Sequence, residues 1–510
     1  MIRQQKQNRD ALAESSRWDI VILGGGTAAL LAATAINKHL PHLRILMVRS
    51  TKMGISGVGE GTIATIGRFL HDYCGIDPLR FHQEVRPSIK LGIQFKWGSR
   101  TPYHYTFGPQ FSAASPIQQK LDRPVGEYCE ADASYANLAS SLMYHGNVAA
   151  DDVNGIPVLP SHAYHLENQS FVRFLERYTN QRGVQKLDAV VQQVSVGENG
   201  VESVTLDNGE IITSSLYLDC SGFRSELLGR ALGEPFISFG ESLFCDRAVV
   251  GGWKRDEEIY HAFTTAEAME AGWCWRIEHD HLINRGYVYS SRFISDEAAE
   301  SEFRQKNPKV TETRKISFSS GVYHRTWVKN VIAIGNSAGF VEPLEATAIG
   351  MMTSAVDQLV SLLSCGTEIR QIHRDVFNRA QQVDWEQCRD FLAFHYQPNK
   401  LNQSPFWHAC RHETFLGEAQ EILDFYCVTG PDFRGLQHLL KSNIFGAEGY
   451  LSMLVGQNVR HAKSSGSNLA TSLKWLEVKE ELEHAGRRGI GMKNYLSLIR
   501  SGSIPLTKRS

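Results

Sequence analysis

The alternation of apolar and polar stretches near the amino end predicts a strand, a tight turn and a helix. Residues 20–23 (IVIL) are a short aliphatic run, as in a parallel strand that is buried on both faces. Glycines follow at once, and residues 27–40 then have the pattern of a helix. Residues 20–36 have the length of a short membrane span, but three consecutive glycines interrupt them. We therefore interpret the stretch as the first unit of an α/β fold.

The turn between this strand and helix fits a nucleotide-binding loop. Residues 24–29 read GGGTAA, a G-x-G-x-x-A pattern. Such a loop needs one glycine for the tight turn, one for close approach to a pyrophosphate, and a small residue for helix packing. The amides at the start of the helix attract the phosphates. The pattern predicts a dinucleotide site at Gly24, Gly26, Thr27 and Ala29, with a glycine-rich turn of another α/β protein as the alternative.

The second predicted strand, residues 44–48, argues against NAD. An acidic residue usually follows this strand and holds the ribose hydroxyls, whereas Arg49 and Ser50 stand here. A second G-x-G-x-x-G pattern between a strand and a helix does not occur later in the sequence. We therefore predict no separate nicotinamide domain.

Three further patterns define the rest of the chain. Residues 184–218 alternate between apolar and polar and predict a β-meander or hairpin pair. Residues 331–334 form a second aliphatic strand that runs into glycine, which fits a cofactor stretched across an open parallel sheet. Beyond about residue 350 the apolar positions mostly follow the period of a helix, which predicts an α-helical subdomain.

Composition places the chain among ordinary globular proteins. It is 42% hydrophobic and 21% charged, and 53 basic against 55 acidic residues give a net charge of −2. This balance creates no global field for nucleic acid. The nine cysteines include no C-x-x-C pair, and the first residues lack the apolar segment of a secretory signal. We predict a cytoplasmic protein with reduced cysteines, no bound metal and no membrane partner.

Four ordered blocks give the chain a family resemblance. They are GGGTAA with residues 57–62 (GVGEGT), residues 88–95 (SIKLGIQF), residues 219–225 (DCSGFRS) and residues 335–349 (GNSAGFVEPLEATAI). Together they resemble the flavin-dependent halogenases of the tryptophan halogenase group. A fifth mark, Trp273-Cys274-Trp275-Arg276-Ile277-Glu278, is similar to the family's W-x-W-x-I-P signature, with glutamate in place of proline. Residues 391–396 (FLAFHY) resemble a family helix.

The resemblance implies an α/β fold of the FAD-binding, Rossmann-like flavin monooxygenase type. An inserted β-sheet and a C-terminal α-helical subdomain complete the expected architecture. We place the FAD-binding domain with its substrate sheet at residues 18–395, and the helical subdomain that covers the substrate site at residues 396–510.

The resemblance also implies the chemistry and its cofactors. Aromatic halogenation needs an oxidant that no side chain supplies. In the family, FAD delivered as FADH2, oxygen and chloride or bromide produce hypohalous acid, which halogenates the substrate. A separate NAD(P)H flavin reductase is expected to supply the reduced flavin by diffusion. The predicted substrate is an aromatic small molecule of indole or tryptophan type, with phenols and peptide-linked tryptophan left open, as is a homodimer.

By the same resemblance each task falls to particular residues. Lys90 captures and aims the hypohalous acid, since an amine in an apolar site reaches its neutral, nucleophilic form more easily. Glu345 stabilises the cationic ring and accepts its proton. The halide is expected at the amides of Thr347 and Ala348, where the family usually has glycine at the second position. The remaining expected contacts are those to the flavin (Gly24, Gly26, Thr27, Ala29, Gly57, Val58, Gly59, Glu60, Val190, Asn336 and Ile349) and to the substrate (Tyr105 and Phe107).

Two rival functions remain open at this point. A flavin-dependent aromatic hydroxylase would oxidise NADPH without a partner and would need no halide. A flavin-binding homologue that has lost activity would give no halogenated product from any substrate.

Overall fold

The computed structural model describes residues 18–52, 54, 59–100, 102–112, 114–116, 134–151, 156–366, 368–440, 442–462 and 469–504. Its strands are β1 (Trp18–Leu23), β2 (Ile45–Arg49), β3 (Glu60–Gly61), β4 (Ser88–Lys90), β5 (Gly92–Lys96), β6 (Tyr103–Thr106), β7 (Asn147–Ala149), β8 (Ala163–Leu166), β9 (Gln185–Asp188), β10 (Val191–Gly197), β11 (Gly200–Leu206), β12 (Ile211–Ile212), β13 (Ser214–Asp219), β14 (Phe236–Ser238), β15 (Arg247–Lys254), β16 (Phe263–Met269), β17 (Gly272–Glu278), β18 (Leu282–Tyr289), β19 (Thr313–Ser317), β20 (Gly321–Tyr323), β21 (Trp327–Val328), β22 (Val331–Ala333), β23 (Gly339–Phe340) and β24 (Ile490–Gly491).

The helices are concentrated in the last third of the chain. They are α1 (Thr27–His39), α2 (Thr65–Gly67), α3 (Pro78–Glu84), α4 (Leu138–Tyr144), α5 (Asn168–Gln181), α6 (Asp296–Lys306), α7 (Ala348–Ser364), α8 (Gln371–Tyr396), α9 (Pro405–Glu413), α10 (Ala419–Thr429), α11 (Phe433–Leu440), α12 (Gly446–Gly456), α13 (Leu469–Arg487) and α14 (Met492–Arg500). Short helical turns of other types lie at Arg68–Tyr73, Gly222–Arg224, Glu226–Ala231, Gly335–Ser337 and Pro343–Glu345.

A six-stranded sheet with the order β21-β22-β13-β1-β2-β9 forms the first half of the fold and contains β1 with its glycine-rich turn. All its neighbouring strands are parallel except β21, which pairs antiparallel with β22. The first strand, turn and helix lie as predicted, at Trp18–Leu23 and Thr27–His39. Helix α1 packs against α5 and α7 and covers one face of the sheet, while the strands β11 and β12 and the turn Glu226–Ala231 cover the other. Both faces are thus buried, as a parallel sheet requires.

A seven-stranded sheet with the order β19-β15-β18-β17-β16-β5-β6 forms the second half. It is antiparallel apart from the pairing of β5 with β16. Residues 88–95, which the sequence presents as one strand, are divided between β4 and β5 in two different sheets. Leu91 separates them, and Gly92 approaches the Tyr105 carbonyl so closely that a Cβ would collide with it.

The remaining strands form smaller sheets. The meander predicted over residues 184–218 is confirmed for β10, β11 and β12, which form an antiparallel sheet. Its first and last strands, β9 and β13, instead belong to the parallel sheet. A three-stranded sheet, β3-β8-β4, contains residues 88–90, the first part of the predicted strand 88–95, which includes Lys90.

Two large apolar cores correspond to the two halves. One lies between the parallel sheet and α1, α5 and α7, and the other lies where the seven-stranded sheet meets helices α8 to α12. None of the helices in the described ranges combines the length and apolar character that crossing a bilayer requires.

Candidate active site

The turn after β1 has the backbone shape that a bound pyrophosphate needs. Gly24 has φ +137°, and a Cβ on it would collide with the carbonyl of Cys220 on the neighbouring strand. A Cβ on Gly26 would instead meet no atom within 4 Å, so the backbone is open on that side. Helix α1 begins at Thr27 with no acidic residue in its first turn and no side-chain cap. Its first amides therefore remain for an anion.

The turn at Gly335–Ser337 forms a second wall beside this loop. Gly335 has φ +74°, and a Cβ on it would lie 3.0 Å from the Cβ of Ala28. The half-buried Asn336 is therefore placed next to the glycine-rich turn. Ala29 and Ile349 are buried in the core behind it. The fold thus brings five of the predicted flavin residues (Gly24, Gly26, Thr27, Ala29 and Asn336) to one edge of the parallel sheet.

The other predicted flavin residues in the described part of the chain have separate surroundings. Gly57 and Val58 lie outside the described residues. Gly59 has φ +88° and faces His279 and Asn284. Burial raises the pKa of Glu60, whose carboxylate accepts a hydrogen bond from Asn168 at 3.2 Å. Val190 follows β9, and its amide donates to Asp207 at 3.1 Å.

Arg49, which stands where dinucleotide-binding folds usually have an acid, ends β2 and points its side chain toward helix α5. Its guanidinium is paired with Glu176 of α5, so that it fixes α5 to the end of β2.

Lys90 ends β4 and is completely buried, with 0% of its surface exposed. Its ammonium nitrogen donates to the carbonyl oxygen of Thr62 at 3.0 Å and lies 5.4 Å from the centre of the Phe107 ring. Burial lowers the pKa of Lys90 to about 8, although the charge of Glu345 opposes the change. A neutral amine is therefore accessible at mildly alkaline pH.

Glu345 faces the same space from the turn before α7. It is 3% exposed, and its Oε1 lies 2.7 Å from Nε2 of His395, which is fully buried near the end of α8. Nδ1 of His395 lies 2.7 Å from the carbonyl oxygen of Phe391, one turn earlier in α8. The histidine therefore connects the acid to the helix backbone.

The neighbouring acid of this turn, Glu342, is held by different partners. Its Oε2 accepts hydrogen bonds from Trp273 Nε1 at 2.9 Å and from the Tyr396 hydroxyl at 2.7 Å. Burial raises the pKa of Glu342, while these hydrogen bonds and the charge of His395 lower it. Adjacent residues of α8, His395 and Tyr396, thus hold the two acids of one turn.

The first turn of α7 lies directly after Glu345. Ala346 adopts a left-handed conformation, with φ +56° and ψ +36°, which reverses the chain before the helix begins. Thr347 is buried at the N-cap position but makes no side-chain capping bond, and the half-buried Ala348 is the first helical residue. The amides at this helix start are suitable donors for a halide ion.

Aromatic side chains surround the space near Lys90. Phe107 lies just after β6, and Tyr105 lies within it. The Tyr105 ring is 6.2 Å from that of Phe391, and Phe391 stacks on Phe445 at 4.0 Å. This arrangement provides flat apolar surfaces that suit an aromatic substrate.

A carboxylate from α12 anchors the loop that follows Phe107. Glu448 accepts hydrogen bonds from three consecutive amides, those of Gln110 and Phe111 at 3.0 Å and of Ser112 at 2.9 Å. In the same helix Gly449 leaves room for the Tyr105 hydroxyl, which would lie 2.9 Å from a Cβ there. Helix α12 and the Phe107 loop are therefore held together as one wall.

Glu278, which replaces the expected proline, has its own partners. It is 1% exposed and forms ion pairs with Arg255 and, at 2.7 Å, with Arg276. Two arginines thus compensate its buried charge. Both tryptophans of the signature, Trp273 and Trp275, are buried in β17.

The structure brings Lys90, Glu345, Thr347 and Phe107 together, and Tyr105 joins them through Phe391. Sequence reasoning assigned no role to His395, although it lies in the FLAFHY block, because a lone histidine on an apolar helix face gives no signal of its partner. It assigned none to Glu448 either, because the amides that it binds lie more than 300 residues away in the chain. Among the described residues, no group of three or more His, Cys, Asp or Glu side chains is arranged to hold a metal ion.

Comparison with known proteins confirms the predicted family and fold class. The model of the tryptophan halogenase family matches residues 19–470. Tryptophan 7-halogenase RebH of Lentzea aerocolonigenes is 30% identical over 432 residues, which are 80% of this chain and 81% of RebH.

Solved structures agree with this assignment. MibH, a lathipeptide tryptophan 5-halogenase, is 32% identical with a TM-score of 0.85, and the match covers 95% of this chain and 94% of MibH. BrvH, a flavin-dependent halogenase from Brevundimonas sp. BAL3, is 26% identical with a TM-score of 0.83, covering 95% and 99% of the two chains. The chain is therefore a flavin-dependent halogenase and belongs to the tryptophan halogenase family.

Proposed function

We propose that this enzyme halogenates an indole-type ring through Lys90 and Glu345. The observation that carries the proposal is the fully buried Lys90, whose nitrogen lies 5.4 Å from the Phe107 ring and within the electrostatic reach of Glu345. An unpaired ammonium is costly to bury, so a lysine here needs a chemical reason. The family relatives are named as tryptophan halogenases, which supports a tryptophan-type substrate.

The residues around the glycine-rich turn fit a flavin. Gly24, Gly26 and the amides at Thr27 would hold its pyrophosphate, with Asn336 beside them. When bound, the reduced flavin supplies the oxidising chemistry that turns halide and oxygen into hypohalous acid. The enzyme uses FADH2, oxygen and a halide, and it requires a separate flavin reductase and an aromatic substrate.

Three tasks then fall to the residues of the site. The amides of Thr347 and Ala348 hold the halide at the start of α7. Lys90 binds the hypohalous acid and directs its halogen to the ring. Glu345 stabilises the positive charge that develops on the ring and accepts the proton that leaves the halogenated carbon.

The aromatic surfaces determine which ring is accepted. Phe107 and Tyr105 line the substrate space, and the helices after residue 396 cover it through α12. We retain free tryptophan, other indoles, phenols and tryptophan within a peptide as the substrate panel, the last because MibH is described as a lathipeptide halogenase.

The test is mass spectrometry of reactions that contain the enzyme, FAD, NADH, a flavin reductase and either chloride or bromide, with this panel. We expect a halogen isotope pattern that disappears in Lys90→Ala and persists in Lys96→Ala, an exposed lysine on the next strand. Hydroxylated product without halide would indicate a hydroxylase. Identical traces from wild type and Lys90→Ala would indicate a flavin-binding homologue without activity.

The reductase is proposed to deliver reduced flavin by diffusion. Two unrelated flavin reductases, matched for their rate of FADH2 production, are then expected to support equal halogenation rates. A strong preference for one of them would indicate direct transfer in a complex. A cytoplasmic location and a homodimer stay predictions from the sequence.

A further inference from the structure

The contact between His395 and Glu345 constrains the protons that the two residues hold. Nδ1 of His395 lies 2.7 Å from the Phe391 carbonyl oxygen, which can only accept, so Nδ1 carries a hydrogen. The 2.7 Å contact between Nε2 and Glu345 Oε1 then contains one proton, on either the nitrogen or the oxygen. In both arrangements the pair has no net charge.

We propose that His395 is a positioning residue that holds Glu345 in a neutral pair, so that Lys90 is not bound in an ion pair with this carboxylate and can react as a free amine. The inference rests on the roles proposed above for Lys90 and Glu345. Two contacts support it: Lys90 donates to the carbonyl of Thr62, and the carboxylate is taken by the histidine.

The other titratable groups around the pair do not replace His395 in this role. They are Glu342 in the same turn, Tyr103 and Tyr105 on β6, Cys388 and Tyr396 on α8, and His165 on β8 behind Lys90. Burial raises the pKa of the tyrosines and the cysteine and lowers the pKa of His165, so these groups stay neutral near pH 7. Glu342 is held by Trp273 and Tyr396.

Replacing the imidazole of His395 by an uncharged amide should raise the pKa of Lys90. In His395→Gln the side-chain amide keeps a donor for Glu345 but carries no positive charge. The charge of Glu345 already acts on Lys90 in the wild-type enzyme, and without the imidazole to offset it the carboxylate raises the pKa of the amine further. In this step the nitrogen lone pair of Lys90 forms a bond to the halogen of hypohalous acid, the oxygen–halogen bond breaks, and the hydroxide leaves as water with the proton that the nitrogen loses. Because only the neutral amine has this lone pair, each unit of increase in its pKa lowers the rate about tenfold at a pH below the pKa of Lys90.

The experiment compares pH profiles of halogenation for wild type, His395→Gln and His82→Gln. His82 is a control because it is also a buried histidine, but it lies in the other core, against Phe81 and Tyr164. We expect wild-type kcat to rise through a pH near 8, as the pKa of Lys90 requires. In His395→Gln the rise should move about one unit higher, with kcat at neutral pH about tenfold lower and KM changed less than about twofold.

The outcomes separate this inference from the proposed function. An unchanged profile in His395→Gln, with wild type active and Lys90→Ala inactive, overturns the role of His395 alone. If Lys90→Ala retains full activity, the proposed function of Lys90 fails instead. An equal shift in His82→Gln also overturns the inference, because it would mark a general effect of losing a buried histidine.

A measurement on wild type covers the case in which His395→Gln does not fold. Modification of Lys90 by cyanate, followed by mass spectrometry of its peptide, reports the neutral amine as a function of pH. We expect a midpoint near pH 8. A midpoint near the ordinary lysine value of 10.5 would show an ion-paired ammonium and overturn the inference.

Discussion

The proposed flavin side of this enzyme depends on backbone geometry, whereas the proposed reacting side depends on side chains. On the flavin side the essential features are backbone ones: Gly24 and Gly335 have positive φ angles, and helix α1 begins without a side-chain cap. On the reacting side they are side chains, since Lys90 and Glu345 meet from segments about 250 residues apart in the chain. A site made of backbone depends on local sequence, whereas a site made of side chains depends on the whole fold.

The largest expected effect is a loss of catalytic activity without a loss of flavin affinity. Lys90→Met should lower kcat on the order of a thousandfold, because it removes the amine that directs the halogen while filling the same volume. Flavin affinity, measured by fluorescence titration, should stay at the wild-type value. Activity within about tenfold of wild type would place the catalytic role on another residue.

The opposite test perturbs the backbone of the flavin side. Gly24→Ala should lower the free energy of unfolding by about 3 kcal/mol, because the methyl group collides with the Cys220 carbonyl and φ is unfavourable for alanine. Gly26→Ala is the matched control, since its Cβ points into open space. It should keep normal stability in urea denaturation but bind flavin more weakly. Equal stability of the two variants would contradict the assigned geometry.

A third test concerns Glu278, the last residue of β17. Glu278→Gln should lower the free energy of unfolding by about 2 kcal/mol, because it leaves Arg255 and Arg276 without their carboxylate. The exposed Glu257→Gln should leave stability unchanged. Both are measured by thermal and urea denaturation. A stable Glu278→Gln protein would mean that solvent already screens these arginines.

The smallest expected effect concerns the substrate wall. Glu448→Gln weakens the three amide contacts to residues 110–112 and should raise KM for the aromatic substrate about tenfold, which corresponds to about 1.4 kcal/mol. Flavin affinity should not change, and kcat should fall less than KM rises. An unchanged KM would show that this loop does not contribute to substrate binding.

This division also explains what the sequence could predict. The pattern predicts a strand at residues 20–23 and a helix at 27–40, and the structure has them at Trp18–Leu23 and Thr27–His39, since short-range pattern determines them. The division of residues 88–95 between two sheets was missed, because it depends on the close approach of Gly92 to Tyr105 across the fold. Strand period carries no information about such a contact.

The same contrast between local pattern and tertiary contact applies to the residues of the site. Family motifs identified Lys90, Glu345 and Thr347, and the structure places them around one space. The partners of these residues, His395 and Thr62, were not identified. Thr62 contributes only its carbonyl, which any residue would offer, and the histidine becomes meaningful only when α8 lies against the turn at Pro343–Glu345. Tertiary packing thus determines what the motifs leave open.

The adjacent pair His395 and Tyr396 has a consequence for recombination between relatives. Each holds one acid of the same turn, so α8 and residues 342–345 form one structural unit although they are separate in sequence. A chimera joined after Tyr396 exchanges helices α9 to α14 and leaves both acids with their original partners. A chimera joined within α8 mixes partners from two parents. The end of α8 is therefore the junction at which the later helices can be exchanged without separating either acid from its partner.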